Sequence, residues 1–370
     1  MSARFLTVVL ERAFNMRDGF GREIDYMRIS VIDSCNLNCY YCNPCDNNEH
    51  CHALNILSVK EVLCIVRAAT RLGIKHFRLT GGEPLLHPQL DEMVLQIKKI
   101  PGVSSVSLTT NAVLLVQHAK WLKEAGIDSI NVSLDTIDAS EYERITKKPL
   151  LEEVKHGINA AIECGIRVKI NVVLTPQTDV VALTRYVAKK GTDIRFIEMM
   201  PVGEGHTNGV EPYKKVIGTL SKLYGEPCRI NTEKTKEINS GNDKRKIPDN
   251  GPAEYYIFPE LGIRVGLIQA IHGKFCDTCN RIRVTADGRL MPCLGSSVTM
   301  DLVPDSCEFT DDLEKDFVIA QALKAAIKAK PGCHNFNDNA VTYTKTTETK
   351  TTEIEAAEVD AARNMSRIGG

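Results

Sequence analysis

Six short β-type runs, near residues 28–33, 76–80, 105–110, 129–135, 168–173 and 193–198, alternate with amphipathic helical runs between Met27 and Met200. That order predicts parallel strands joined by crossover helices. Each run also alternates apolar with polar side chains. One face carries Ile29 and Val31, Phe77 and Leu79, Val106 and Leu108, Ile130 and Val132, Val168 and Ile170, then Ile194 and Phe196, which belong under helices. The other carries Arg28, Ser30, Arg78, Thr80, Ser107, Thr109, Asn131, Ser133, Lys169, Asn171 and Arg195. A parallel sheet is normally covered on both sides, so this polar face is either a solvated surface or the wall of a lumen that holds a polar ligand. The lumen reading is favoured, and it makes the fold class α/β, a partial (βα)6 TIM-type barrel.

The connecting helices have recognisable ends. Ser58 and Glu61 form a capping-box pattern ahead of Val59, Val62, Leu63 and Val66 on one face, and Gly73 supplies the stop. Beyond Met200 the texture changes. A helix is expected near 213–224, then a polar loop from Thr232 to Asn250, then short strands near 255–258, 263–267 and 281–285. The chain thus divides into a barrel core over 1–200, a smaller C-terminal α+β region over 201–335, and a tail over 336–370 that includes the Thr-rich stretch from Thr342 to Ala362.

Thirteen cysteines, an odd number with tight Cys-x-x-Cys spacings, suit metal binding in a reducing compartment better than a secreted disulfide framework. The 46 basic and 47 acidic residues leave no global field to recruit nucleic acid or an anionic membrane. The apolar run Phe5 to Leu10 is too short for a secretory core or a membrane span. A cytoplasmic location is expected, with organelle targeting by Arg4, Arg12 and Arg17 as the alternative.

Cys35-x3-Cys39-x2-Cys42 follows the first strand, where a barrel places its active-site loops. The spacing resembles the signature of radical S-adenosylmethionine enzymes: three thiolates would leave one iron of a [4Fe-4S] cluster open to chelate S-adenosylmethionine, and an electron delivered there can break the sulfonium bond to release a 5'-deoxyadenosyl radical. Closure of the cluster by Cys45 or Cys51 would instead make an electron carrier. A carrier has no use for a polar lumen, nor for Thr80-Gly81-Gly82-Glu83-Pro84 at the second strand's end, where glycine permits close backbone approach. A second cluster, Cys276-x2-Cys279-x13-Cys293, admits a tetrahedral Cys3His zinc site with His272 as its rival reading. Arg281 and Arg283 follow on a strand and point to one side, either as a solvated face or as an anchor for a polyanionic substrate.

Two stretches carry a resemblance. Asp18-Gly19-Phe20-Gly21-Arg22 leads through Arg28-Ile29-Ser30-Val31 to the first cysteines, and Phe275-Cys276 leads through Asn280-Arg281-Ile282-Arg283 and Ala286-Asp287-Gly288 to Pro292-Cys293-Leu294. Together they resemble the GTP 3',8-cyclase family of radical S-adenosylmethionine enzymes over residues 15–335 and again over the last eight. The resemblance implies a lyase that converts GTP to (8S)-3',8-cyclo-7,8-dihydroguanosine 5'-triphosphate, the first step of molybdenum cofactor synthesis, with two [4Fe-4S] clusters and S-adenosylmethionine as cofactors. It places one cluster on Cys35, Cys39 and Cys42, and the other on Cys276, Cys279 and Cys293, whose open iron holds the purine. By the same token Arg28, Arg78, Thr109, Lys169, Arg281 and Arg283 would contact GTP, while Tyr41, Gly82, Ser133 and Met200 would contact S-adenosylmethionine. It further implies hand-off of the product to a downstream cyclic pyranopterin monophosphate synthase, an electron donor, a homodimer, and insertion of Gly369-Gly370 into the catalytic cavity, against adenylation or fraying of that terminus. The chain departs from the family at Asn38, commonly Arg, at Asn43, where Met usually precedes Pro, and at Ala112, where Gly is common; Cys45 and Cys51 are extra. A peptide-modifying radical enzyme with a relay cluster, and a non-catalytic iron–sulfur or zinc regulator, are the competing functions.

Overall fold

The structure is a computed structural model and describes residues 16–42, 55–201, 210–230, 251–296, 298–302, 312–334 and 336. Asn43, Cys45, Cys51, the expected loop from Thr232 to Asn250, the Thr-rich stretch and the Gly-Gly terminus lie outside the described residues.

The six expected strands are present as β1 (Tyr26–Ser30), β2 (His76–Thr80), β3 (Ser105–Thr110), β4 (Ser129–Ser133), β5 (Val168–Val173) and β6 (Asp193–Ile197). Each pairs in parallel with the next in chain order. The crossovers are α1 (Val59–Arg71), α2 (Leu90–Lys99), α3 (Leu115–Glu124), α4 (Ala139–Thr146) with α5 (Leu151–Glu163), and α6 (Val180–Lys189). Ser58 caps α1 as expected: its hydroxyl accepts from the Glu61 N–H at 3.3 Å while the Glu61 carboxylate accepts from the Ser58 N–H at 2.8 Å. All twelve residues assigned to the apolar face are buried.

The C-terminal strands extend both edges of this sheet. β9 (Arg264–Ile268) runs parallel beside β6, and β10 (Arg281–Val284) runs parallel beside β1. Beyond β9 lie antiparallel β8 (Glu254–Ile257) and β7 (Cys228–Arg229); beyond β10 lie antiparallel β11 (Arg289–Met291) and β12 (Met300–Asp301). Eight parallel strands therefore stand side by side in one 12-stranded sheet whose two outer strands do not pair with each other among the described residues. This is a partial barrel. The helix expected at 213–224 starts as a π-helical turn, Tyr213–Ile217, and continues as α7 (Gly218–Tyr224).

Ala112 adopts a left-handed backbone, φ +65°, and is fully buried. A glycine would do so freely, whereas an alanine loses about 1–2 kcal/mol there, so the departure from the family's glycine adds strain at the end of β3. Its carbonyl is also where α5 comes closest: a Cβ on Gly157 would lie 2.2 Å from the Ala112 oxygen.

One helix was not anticipated from sequence. α8 (Asp312–Lys328) packs on α1 through Ile319, Leu323, Ala326 and Ile327. Asp316, 1 % exposed, accepts from Arg67 Nε at 2.9 Å and Nη2 at 3.1 Å, with Arg71 at 3.4 Å. The contact fixes where the chain emerges at Lys330. Replacing Asp316 with alanine leaves two arginines facing an apolar seam; because they are themselves a quarter to a third exposed, the cost expected is about 2 kcal/mol, below the range for a fully buried pair. Denaturant unfolding checks this, and an unchanged midpoint would contradict it.

Candidate active site

Nine of the eleven polar-face residues of β1–β6, all but Ser30 and Asn131, line one cavity of about 880 Å³, toward the upper end of the range usual for small-molecule sites. Both cysteine triplets lie on its wall, Cys35, Cys39 and Cys42 on one loop and Cys276, Cys279 and Cys293 around β10 and β11. Arg28, Arg78, Thr109, Lys169, Arg281 and Arg283 line it too, as do Tyr41, Gly82, Ser133 and Met200. The sixteen residues assigned from sequence to the clusters, the nucleotide and S-adenosylmethionine are thus brought to a single space.

The first loop is fixed mainly by backbone contacts. A Cβ on Gly81 would lie 2.3 Å from the Ile32 oxygen, and one on Gly82 would lie 2.2 Å from the Ser34 oxygen. The Gly82 N–H donates to Ile32 O at 2.7 Å, and the Glu83 N–H to Ser34 O at 2.8 Å. The pair is therefore needed for close approach to the chain that enters Cys35. Glu83, 1 % exposed, accepts from Thr110 Oγ1 and the Asn111 N–H, both at 2.7 Å, and from the Leu85 N–H at 3.0 Å. Burial pushes its carboxyl up to about 7 against those three donors. On the far side, Asn38 and Tyr40 N–H groups donate to the carbonyls of Thr146 and Ile145 at the end of α4, and Tyr41 donates to Asp135 at 2.5 Å. Asp135 also accepts from the Val173 N–H at 2.8 Å, and burial raises it to about 6. Burial, with Glu83 nearby, pushes the Cys35 thiol up to about 11; burial and the neighbouring Cys42, Asp135 and Cys35 charges raise Cys39 well above its usual range.

Register assembles the basic wall. Arg283, Arg28 and Arg78 are direct partners across β10, β1 and β2, so three guanidiniums arise from strands about 4.8 Å apart. Arg281 stands one step along, over the rings of Tyr26 at 5.9 Å and Phe275 at 5.7 Å, and Arg78 caps the other part of Tyr26 at 5.7 Å. Burial and then Arg283 and Arg78 depress Arg28 strongly, and burial with Arg281 lowers Arg283 to about 10. Charges crowded like this, away from water, are arranged for a polyanion. Across the cavity, Arg195 Nε donates to Asn171 at 3.0 Å while its Nη2 is buried without a partner, as is Thr109 Oγ1.

The second triplet rests on residues that the sequence did not single out for it. Arg22, paired to Asp18 at 2.5 Å, donates through Nη1 to Cys276 O at 2.7 Å and Gly332 O at 3.0 Å, and through Nη2 to Pro331 O at 2.6 Å. Lys330, 3 % exposed, donates to Arg281 O at 2.8 Å and Pro292 O at 2.9 Å. Burial, then the charges of Cys293, Cys279 and Cys333, raise Cys276; Lys330 and Arg281 outweigh burial and lower Cys279. His272 does not join the triplet: its ring pairs with Glu198, which also accepts from the Ile271 and His272 N–H groups. No three His, Cys, Asp or Glu side chains among the described residues converge on a single ion. Three thiols on a cavity wall are the donor set an iron–sulfur cluster takes, and the zinc reading loses its fourth ligand because the His272 ring is held by Glu198.

Glu83, Asp135, Arg195, Arg22, Lys330 and Cys333 complete the site. Glu83, Arg195 and Arg22 lie within stretches already quoted; Asp135, Lys330 and Cys333 are brought in by tertiary contacts.

Residues 29–182 match the model of the Radical SAM superfamily, and residues 192–336 that of Molybdenum Cofactor Synthesis C. GTP 3',8-cyclase of Clostridium perfringens strain SM101 is 36% identical over 324 residues, 87% of this chain and 95% of that protein. That of Pelotomaculum thermopropionicum is 37% identical over 327 residues, 86% of this chain and 95% of its own length. Among solved structures, Streptococcus suis SuiB bound to precursor peptide SuiA aligns with a TM-score of 0.53 at 14% identity, over 86% of this chain and 67% of that one, a likeness of fold. No helix among the described residues is long and apolar enough to cross a membrane. With a basic wall and two cysteine triplets around one cavity, and this degree of identity along most of its length, the chain belongs to the GTP 3',8-cyclase family of the radical SAM superfamily.

Proposed function

We propose that this chain converts GTP to (8S)-3',8-cyclo-7,8-dihydroguanosine 5'-triphosphate, the step that opens molybdenum cofactor synthesis. The observation that carries the reading is the placement of both cysteine triplets and the arginine row on one cavity wall. Cys35, Cys39 and Cys42 would hold one [4Fe-4S] cluster and Cys276, Cys279 and Cys293 the other; the first would supply the electron for reductive cleavage of S-adenosylmethionine and the second a Lewis-acidic iron for the purine.

The protein's own part is positioning. Arg28, Arg78 and Arg283 meet the triphosphate through paired N–H donors, with Lys169 from the opposite wall and Thr109 between them. Arg281, beside Cys279, orients the nucleotide toward the second triplet. Tyr41, Gly82, Ser133 and Met200 surround the S-adenosylmethionine, Tyr41 being held by its hydrogen bond to Asp135. The apolar layer under β1–β6 excludes water from the strand side. Proposed partners are an electron donor, a second copy of the chain, and a cyclic pyranopterin monophosphate synthase that takes the product.

A second reading is kept alive by one observation. Cys333 lines the cavity with the second triplet, and a fourth thiolate would turn that cluster into an electron relay for a peptide-modifying radical enzyme.

Anaerobic reconstitution followed by reduction in the presence of S-adenosylmethionine separates the readings. About eight irons per chain and 5'-deoxyadenosine release that requires GTP are expected; release indifferent to GTP would contradict the cyclase. Replacing Cys35, Cys39 or Cys42 with serine should abolish 5'-deoxyadenosine while iron at the second centre persists, as iron analysis of each variant would show. Replacing Arg281 or Arg283 with alanine should leave the iron content unchanged and weaken GTP binding by about tenfold each, the loss of one charge-assisted contact. Calorimetric titration with unchanged affinity would remove those arginines from the nucleotide site.

A further inference from the structure

The segment that leaves α8 is tied into the second triplet at three points. Arg22 bridges the Cys276 carbonyl to the carbonyls of Pro331 and Gly332. Lys330 bridges Arg281 O to Pro292 O, the residue before Cys293. The third point is packing: a Cβ on Gly295 would lie 2.7 Å from His334 Cβ and 3.0 Å from the Phe336 ring, so the chain after Cys293 and the chain after Cys333 touch backbone to side chain. Gly332 lies flat against Phe20, where an added Cβ would come within 2.9 Å of the ring. Between these anchors sits Cys333, on the wall of the same cavity as Cys276, Cys279 and Cys293. His334 beside it is 7 % exposed and lines that cavity, and neither of its ring nitrogens makes a hydrogen bond of good geometry. Its ring lies beside the Ala270 backbone and keeps hydrogen-bonding capacity for a polar guest at this end of the site.

We propose that Cys333 is a fourth thiolate of the second centre, bound to its otherwise open iron while nucleotide is absent and displaced when the purine enters. This rests on the two-cluster reading given above. The exchange is a substitution without change of oxidation state: the iron–sulfur bond to Cys333 breaks, the released thiolate takes a proton from solvent, and a guanine donor atom takes the vacated position. Three ligands come from the rigid β10–β11 hairpin and the turn before it, and they stay. The fourth comes from the segment after α8 and is more exposed than the other three, so its side chain is the one able to rotate away while the backbone stays anchored. A centre closed in this way is shielded from solvent and adventitious ligands until substrate arrives, and substrate must compete with a tethered thiolate. If the thiolate holds the iron about nine-tenths of the time, its removal tightens apparent nucleotide binding about tenfold.

The test uses the full chain with Cys35, Cys39 and Cys42 replaced by alanine, so that only the second centre loads, reconstituted anaerobically with 57Fe and read by Mössbauer spectroscopy with and without GTP. With Cys333 present, the expected spectrum without GTP shows four irons in all-sulfur coordination, and GTP brings out one distinct iron. With Cys333→Ala added, the distinct iron is there before GTP, and GTP binds about tenfold more tightly. A distinct iron before GTP in both proteins overturns the role of Cys333 and leaves the two-cluster reading standing. Four all-sulfur irons that GTP does not alter overturn the exchange and favour the relay. Failure of any four-iron centre to assemble on Cys276, Cys279 and Cys293 overturns the two-cluster reading and this proposal with it.

Discussion

Three arginines from adjacent parallel strands, Arg283, Arg28 and Arg78, face the same enclosed space at the spacing of a β-ladder. Like charges carried on neighbouring strands about 4.8 Å apart, removed from bulk water, repel one another and lose hydration. The fold can keep them there because the apolar side of the same strands is packed without interruption and because aromatic rings take up part of the field. Tyr26 lies under both Arg78 and Arg281, and those cations with Arg28 outweigh burial to pull its phenol below the usual range. What remains unbalanced is positive potential directed into the cavity, which is the property a nucleotide triphosphate site requires.

That wall exists only because the last strands return to the first. β10 supplies two of the four arginines and pairs with β1, whereas β9 extends the other edge at β6. The same return carries Cys279 to within reach of the lumen, and the hairpin that pairs Arg283 with Met291 folds Cys293 back toward it. Arg22 and Lys330 then join the N-terminal segment, the turn before β10 and the end of α8 through backbone carbonyls. Substrate wall and second triplet are consequently one mechanical unit. The first triplet belongs to a different unit, the loop pinned by Gly81 and Gly82 against residues 32–34 and by Asn38 and Tyr40 against the end of α4.

Much of this was legible along the chain. Strict alternation in β1–β6 identified both the packed face and the polar lumen, because a period of two leaves no choice about which side chains share a wall. All sixteen site residues named from motifs line the cavity. Other features depended on pairings that no local pattern encodes. Asp18 to Arg22 sits in sequence before the first cysteines, yet its guanidinium serves Cys276, 254 positions away. The glycines after β2 were correctly read as permitting a close approach, although the chain they admit is the protein's own backbone. His272 had the spacing of a zinc ligand and found Glu198 instead. α8 carries an i, i+4, i+7, i+8 stripe at Ile319, Leu323, Ala326 and Ile327, but which surface that stripe covers, and so where Cys333 meets the second triplet, is set by its packing on α1.

The decisive measurement follows a hydrogen atom. On the proposed function, the arginine wall would hold the triphosphate and the second triplet the purine, which would leave the ribose facing the first triplet across the same cavity. GTP carrying deuterium at the ribose 3' position should yield 5'-deoxyadenosine containing that deuterium, detected by mass spectrometry. Formation of 5'-deoxyadenosine without deuterium in the presence of bound GTP would contradict a shared cavity in which the two triplets act on one nucleotide.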